Sequence, residues 1–190
     1  MSPAMIALAV VGGVLLLALI WLGVTFNRFV RLRQHIKESW ADIDVELKRR
    51  YELIPNLVET VKGYARHERE TLERVIELRN KARANHGSAA SQAVDENAMM
   101  LGLSKLFALA EAYPDLKANE NFLALQKELA LTEDRIAASR RFYNANCREM
   151  NQLRGMFPTS LVASMFGFAE ASFFELDSAA ERAVPRVQMT

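Results

Sequence analysis

The side chains able to do chemistry are few in this 190-residue chain and poorly placed for it. The three histidines, His35, His67 and His86, are scattered. A di-iron site inside a helical bundle is built from Glu-x-x-His pairs on facing helices, yet Leu32, Tyr64 and Arg83 stand three residues before these histidines. His67 and Glu70 lie about one helical turn apart, which suits a solvated ion pair better than a ligand set. Neither a His-Glu-x-x-His pair nor a glycine-rich phosphate loop occurs. The single cysteine, Cys147, excludes an intramolecular disulfide. It sits beside the core stripe of its helix with no evident base, and reads as a small buried thiol rather than a nucleophile. Thr132, Ser139 and Asn146 recur at seven-residue spacing on one helical face. Small polar side chains of this kind fill close helix crossings and bond to backbone; a water-lined or register-setting seam is the alternative. Arg49-Arg50 and Arg140-Arg141 read as solvated faces able to pair with Asp44, Glu52 or Glu149. The expectation is therefore a protein that is not an enzyme, with no catalytic, metal or cofactor site.

The elements that would position these residues are helices. Eight glycines and five prolines are few, and Leu, Ala, Glu, Arg and Lys dominate. The net charge of +1 calls for no nucleic-acid partner. From Ala4 to Val24 every residue is apolar or glycine. About 21 residues at roughly 1.5 Å each give about 31 Å, enough to cross a bilayer's hydrocarbon core. A cleaved signal peptide would need a basic start and a shorter apolar run. The reading is thus an uncleaved transmembrane anchor over 1–26. Arg28, Arg31, Arg33 and Lys37 follow the span and no Lys or Arg precedes it. The positive-inside rule then places the N-terminus outside and the C-terminal part in the cytoplasm of a bacterial inner membrane. Ala9 and Gly13 form a small-xxx-small pair that would let two spans approach.

Beyond the span an apolar stripe at three- and four-residue spacing runs Phe29, Leu32, Ile36, Trp40, Ile43, Leu47, Tyr51, Ile54, Val58, Val61, Ala65, Leu72 and Val75. This predicts one helix over about 27–84, continuous with the anchor and kinked at Pro55, whose ring presses on the carbonyl of Tyr51. Further helices are expected over about 92–112, capped by Ser91 or Asp95 and stopped at Tyr113-Pro114; over 119–154, capped by Asn119 or Asn121; and over 159–176, capped by Thr159-Ser160. The bundle would occupy 27–182, and 183–190 would be a loose tail.

The lengths do not match. The first cytoplasmic helix would be about 87 Å long and the second about 30 Å. Folding back from the loop near His86, the second brings Tyr113 and Pro114 opposite Gly63. Pro55, Gly63, Tyr113 and Pro114 would then mark the junction of bundle and stalk. The stalk stripe Ile36, Trp40, Ile43 and Leu47 lacks a partner from the second helix. The third helix, the C-terminal segment or another copy must cover it; other copies are favoured, which makes it the candidate interface between copies of the chain. Phe157 to Phe174 holds five phenylalanines in 18 residues. This terminal apolar segment, with Phe157, Leu161, Phe166, Phe168, Phe173 and Phe174, can pack on the bundle, meet another subunit or touch the bilayer. Packing leads, because a surface helix would carry Lys and Arg where this one has Glu170 and Glu175.

Four stretches carry a family resemblance: SWADIDVELKRRYELIPNLVETVKGYARHE (Ser39–Glu68), EAYPDLKANENFLALQKELA (Glu111–Ala130), RIAASRRFYNANCREMN (Arg135–Asn151) and FPTSLVASMFGF (Phe157–Phe168). In this order they closely resemble the LemA family of bacterial membrane proteins. The resemblance implies a single N-terminal span, an antiparallel four-helix bundle in the cytoplasm and no enzymatic activity. It also implies a link to membrane organisation, including organelle-like membranes in magnetic bacteria. Where family members often carry basic residues, this chain has Ala169-Glu170-Ala171-Ser172. The expected function is a membrane-anchored, self-associating helical scaffold, with the lipid bilayer, further copies and other envelope proteins as partners. The alternative is a monomeric tethered adaptor or sensor.

Overall fold

The computed structural model describes residues 2–176; the expected tail at 183–190 and the end of the expected bundle lie outside the described residues. Among the described residues there are six helices: α1 (Pro3–Tyr64), α2 (Arg69–Ala84), α3 (Ala89–Ala110), α4 (Pro114–Lys117), α5 (Glu120–Gly155) and α6 (Thr159–Met165). The protein is all-α, but not the clean four-helix bundle expected from the sequence.

Two expected helices are shorter than their apolar pattern. The helix over 27–84 stops at Tyr64 and resumes at Arg69, just after Gly63 weakens the helical propensity. Glu68 N–H turns back onto the Ala65 carbonyl at 3.1 Å. At Pro55, where a kink rather than a break was expected, α1 continues without interruption. Proline has no N–H to give the Tyr51 carbonyl. Arg79 of α2 supplies the donor instead, its Nε lying 2.9 Å from that oxygen. The expected helix over 159–176 ends at Met165. Gly167 takes φ +68°, and the Phe168 N–H reaches the Ala163 carbonyl at 2.9 Å, closing a Schellman-type stop. The remaining described residues have no regular structure.

The caps divide similarly. Ser88, not Ser91 or Asp95, caps α3, its side chain accepting from Ser91 N–H at 3.2 Å. Asn119 caps α5 by accepting from Phe122 N–H at 3.0 Å. Thr159 does not cap α6: its hydroxyl donates to the carbonyls of Leu153 and Met156.

The chain forms two compact units. The first comprises residues up to Glu38 together with Ala145–Ala171. Its core gathers Phe29 and Leu32 of α1, Met150 and Leu153 of α5, Val162 and Ala163 of α6, and Phe168. The start of α1 lies outside that core. Its apolar side chains, Leu8 and Leu17 among them, are exposed, and the helix is long and apolar enough to cross a membrane. Among the described residues nothing buries this apolar stretch, and surface of this kind suits an apolar medium.

The second unit comprises Ser39–Asn144 and the described residues from Ser172 onward. Here Ile43, Leu47, Ile54, Leu57 and Val61 of α1 are buried, as are Met99 and Leu106 of α3 and Leu129 and Ile136 of α5. Gly102 lets α3 approach α2: a Cβ there would lie 2.8 Å from Leu78 Cδ1.

Candidate functional site

Built from the residues upward, the most distinctive feature of the second unit is charged and buried. Arg50 and Glu96 are both 0% exposed. Arg50 Nη1 donates to both oxygens of Glu133, at 2.7 and 2.8 Å, and its Nη2 donates to Glu96. Glu96 also accepts from the Tyr51 hydroxyl and from Gln92 Nε2 at 2.8 Å. Gln92 Nε2 reaches the Ala82 carbonyl at 2.9 Å as well. Side chains from α1, α3 and α5, and the end of α2, thus converge on one network. Burial opposes the Arg50 charge, but the carboxylates of Glu133 and Glu96 outweigh it and hold the guanidinium pKa above the ordinary arginine value. Burial, then the Glu96 charge and hydrogen bond, push the Tyr51 phenol well above its ordinary range.

Such a network locks helices together rather than turning over a substrate. Arg50 and Glu96 have no exposed surface with which to meet a solute, and both Nη groups of Arg50 are engaged by the two carboxylates. Among the described residues, no group of three or more His, Cys, Asp or Glu is placed to hold a metal ion. Cys147 is buried, consistent with a packed thiol.

Sequence reasoning placed Arg50 on a solvated face; the structure corrects this. The signal was present in the phase of α1: Ile43, Leu47, Arg50, Ile54, Leu57 and Val61 alternate at four and three residues, so Arg50 occupies a core position. Arg49, one residue earlier, is the exposed member and pairs with Glu128. Among the three residues proposed as a seam, Thr132 is fully buried and donates to the Glu128 carbonyl. Asn146 Nδ2 lies 3.4 Å from the His35 carbonyl.

A second signal was missed. Asn144 and Asn151 stand seven apart on α5 and act as backbone clamps. In the second unit, Asn144 accepts from Phe174 N–H at 2.9 Å and donates to its carbonyl at 3.0 Å. In the first, Asn151 does the same for Ala171, at 2.8 and 2.9 Å. Each amide imitates the edge of a strand, satisfying an irregular segment that would otherwise bury bare backbone.

The stalk stripe is covered by its own chain, which removes the premise on which it was assigned to other copies. In the second unit Ile43 and Leu47 are buried, while Trp40 packs on Tyr143 and Phe174 at ring separations of 5.4 and 5.6 Å. In the first unit Ile36 packs, partly buried, against the apolar core. Tyr143 of α5 and Phe174 of the C-terminal segment, the within-chain alternatives to a second copy, cover Trp40.

The expected junction residues occupy α1 and the start of α4. Pro55 is half-buried, and Gly63 faces open space. Tyr113 precedes Pro114, the first residue of α4. Near that turn Asn119 Nδ2 donates to the Tyr64 hydroxyl at 3.0 Å.

The terminal phenylalanines separate into two groups. Phe168 and Phe174 are buried, and Phe173 is half-buried. Phe157, Leu161 and Phe166 stay exposed, contrary to the packing expected of them. The basic flank lies mostly at the surface: Arg28 pairs with Glu149 at 2.9 Å, Arg33 sits 5.5 Å from the centre of the Phe168 ring, and Arg31 and Lys37 are exposed.

With this geometry in hand, comparison with known proteins is informative. The model of the LemA family matches residues 39–189. Protein LemA of Metamycoplasma hominis is 27% identical, covering 78% of this chain and 68% of the relative. Magnetosome protein MamQ of Magnetospirillum gryphiswaldense is 22% identical over 78% of this chain and 64% of its own length. Magnetosome protein MamQ 2 of Paramagnetospirillum magneticum is 23% identical over 79% and 64% respectively. The chain spans about two thirds of the length of these relatives.

Proposed function

The chain belongs to the LemA family, and we propose that it is a non-enzymatic helical scaffold anchored in the bacterial inner membrane, which self-associates and organises or reshapes that membrane. The observation that carries this reading is α1 itself. One helix runs unbroken from the apolar stretch at Pro3 to Tyr64, with no linker between the membrane-length segment and the residues that enter the packed cores. Arg28, Arg31, Arg33 and Lys37 follow that segment and favour a cytoplasmic location for the helices beyond it. The similarity to proteins named as magnetosome proteins agrees with the link to membrane organisation that the family resemblance implies.

With the stripe at Ile36 to Leu47 covered, self-association falls to surfaces that remain open. On α3, Val94 and Leu101 are seven residues apart and exposed. On α5, Leu131 and Phe142 are exposed eleven apart, about three turns, and so share a side. Full-length protein reconstituted into liposomes and imaged by electron microscopy tests the reading. Assemblies with deformed vesicles are expected. Monodisperse monomer in mild detergent, together with no crosslinking in cells, overturns self-association. A stoichiometric partner recovered under those conditions supports the tethered adaptor instead.

A further inference from the structure

We propose that the elbow joining α5 to α6 is a second membrane contact, seated among the acyl chains and headgroups beside the end of the span. This rests on the reading that residues 4–24 cross the bilayer. Met156 to Ala169 is a run of 14 residues without a charge. Only one side of it is used internally: Val162 and Ala163 are buried against Phe29 and Leu32. Leu161 and Met165, four residues apart on α6, are 56% and 67% exposed, and Phe157, just before the helix, is 81% exposed. Met156 and Phe166 extend the same patch. Large apolar side chains left exposed this close together, with no charge among them, mark a contact surface.

Its position selects the occupant. Leu22 and Phe26 pack against the core that holds α6, and the rings of Phe26 and Phe166 are 4.8 Å apart. If Ala4 to Val24 fills the hydrocarbon core, Leu22 lies in the last turn of the span and Phe26 about 3 Å beyond its end. The patch therefore continues the lipid-facing surface of α1 at the depth where acyl chains meet headgroups. Charge agrees with that depth. The first unit carries Arg28, Arg31, Arg33, Lys37, Arg148 and Arg154 against Glu38, Glu149 and Glu170, six cations to three anions. Glu170, which at sequence level argued against lipid, lies after α6 has ended and faces Arg154 at 3.8 Å. An excess of cations beside an apolar wedge suits an anionic leaflet.

The test uses the full chain in liposomes of phosphatidylcholine and phosphatidylglycerol, with an environment-sensitive nitrobenzoxadiazole probe at Phe157→Cys, Leu161→Cys or Met165→Cys. The buried Cys147 should take up little label, which the parent protein checks. Leu15→Cys reports on the span and Glu70→Cys on the exposed face of α2. The three elbow probes should lose most of their emission to lipids bearing a doxyl group high on the acyl chain and resist aqueous iodide; Glu70→Cys should show the reverse. Elbow probes quenched by iodide but not by doxyl lipid would overturn the proposal. Probes shielded from both would overturn it too, assigning the patch to a second copy or another protein. If Leu15→Cys escapes doxyl quenching, the span reading itself fails; if it is quenched and the elbow is not, only the elbow proposal falls. In a Phe157→Asp, Leu161→Asp background, doxyl quenching at Met165→Cys should drop while that at Leu15→Cys persists; unchanged quenching at Met165→Cys counts against the wedge.

Discussion

In the unit that contains the start of α1, the centre is aromatic: Phe29 stacks on Phe168 with ring centroids 4.6 Å apart and planes 17° apart, and Phe26 closes the group. In the unit from Ser39 to Asn144 the centre is ionic, with Arg50 held between Glu96 and Glu133 inside an aliphatic shell. The apolar core tolerates small adjustments, because dispersion and burial have no fixed direction. The ionic core does not, since each carboxylate must meet particular donors and a slip of one residue on any of three helices would strand a charge. The unit that carries a membrane-length helix thus relies on burial, while the other adds a buried ionic network that ties three helices together.

The comparison breaks most sharply at Arg50. Arg50→Ala leaves two carboxylates without their cation and should cost about 3–5 kcal/mol. Denaturant unfolding in mild detergent measures it, and amide exchange should rise in α3 while the Phe168 amide keeps its protection. Replacing Arg50, Glu96 and Glu133 together by Met, Leu and Leu should return most of that loss, because burying the charges is itself costly. The mirror experiment is Phe168→Ala, expected to cost up to about 3–5 kcal/mol and to loosen α6 while leaving α3 protected. Uniform loosening in both variants would mean that the two units do not differ in this way.

The asparagine clamps sharpen the contrast at smaller scale. Asn144→Ala or Asn151→Ala leaves an N–H and a carbonyl unsatisfied and should cost about 1–3 kcal/mol. The effect should be larger for Asn144, because Phe174 is buried whereas Ala171 is partly open. Exchange at the Phe174 and Ala171 amides reads each clamp separately. The smallest effect concerns Asp95. Burial raises its pKa, but hydrogen bonds from Lys81 and Asn85 and the Lys81 charge outweigh it and leave it below the ordinary aspartate value. Its contribution to stability is therefore complete above about pH 4 and lost as pH falls through the folded-state value. Melting temperatures recorded from pH 5 to pH 3 should fall less steeply in Asp95→Asn than in the parent.

Much of this was legible in the sequence. The uninterrupted apolar run of Ala4 to Val24, the helical class, the end of α3 near Tyr113-Pro114 and the Asn119 cap follow from local chemistry. The break after Tyr64 was not, since Leu72 and Val75 continue a helical spacing and only Gly63 hints at a stop. At Pro55 the sequence argued for a helix that continues, and α1 does run through it. Proline leaves the Tyr51 carbonyl without its helical donor, and the donor that replaces it, Arg79, comes from 28 residues away, beyond the reach of local pattern. Arg50 was misjudged because a charge on a helix is normally solvated, although its phase among Ile43, Leu47, Ile54 and Leu57 placed it inside.

The sequence alone determined the elements governed by local rules: where an apolar stretch reaches membrane length, where helices form, and which family motifs occur in order. Tertiary structure decided what each face meets. It covered Trp40 and Ile43 with the same chain, drew Glu96 and Glu133 onto Arg50, and left Phe157, Leu161 and Met165 uncovered. Periodicity marks a side chain as apolar or polar, but its partner is chosen across many residues by which helices fold back and at what register.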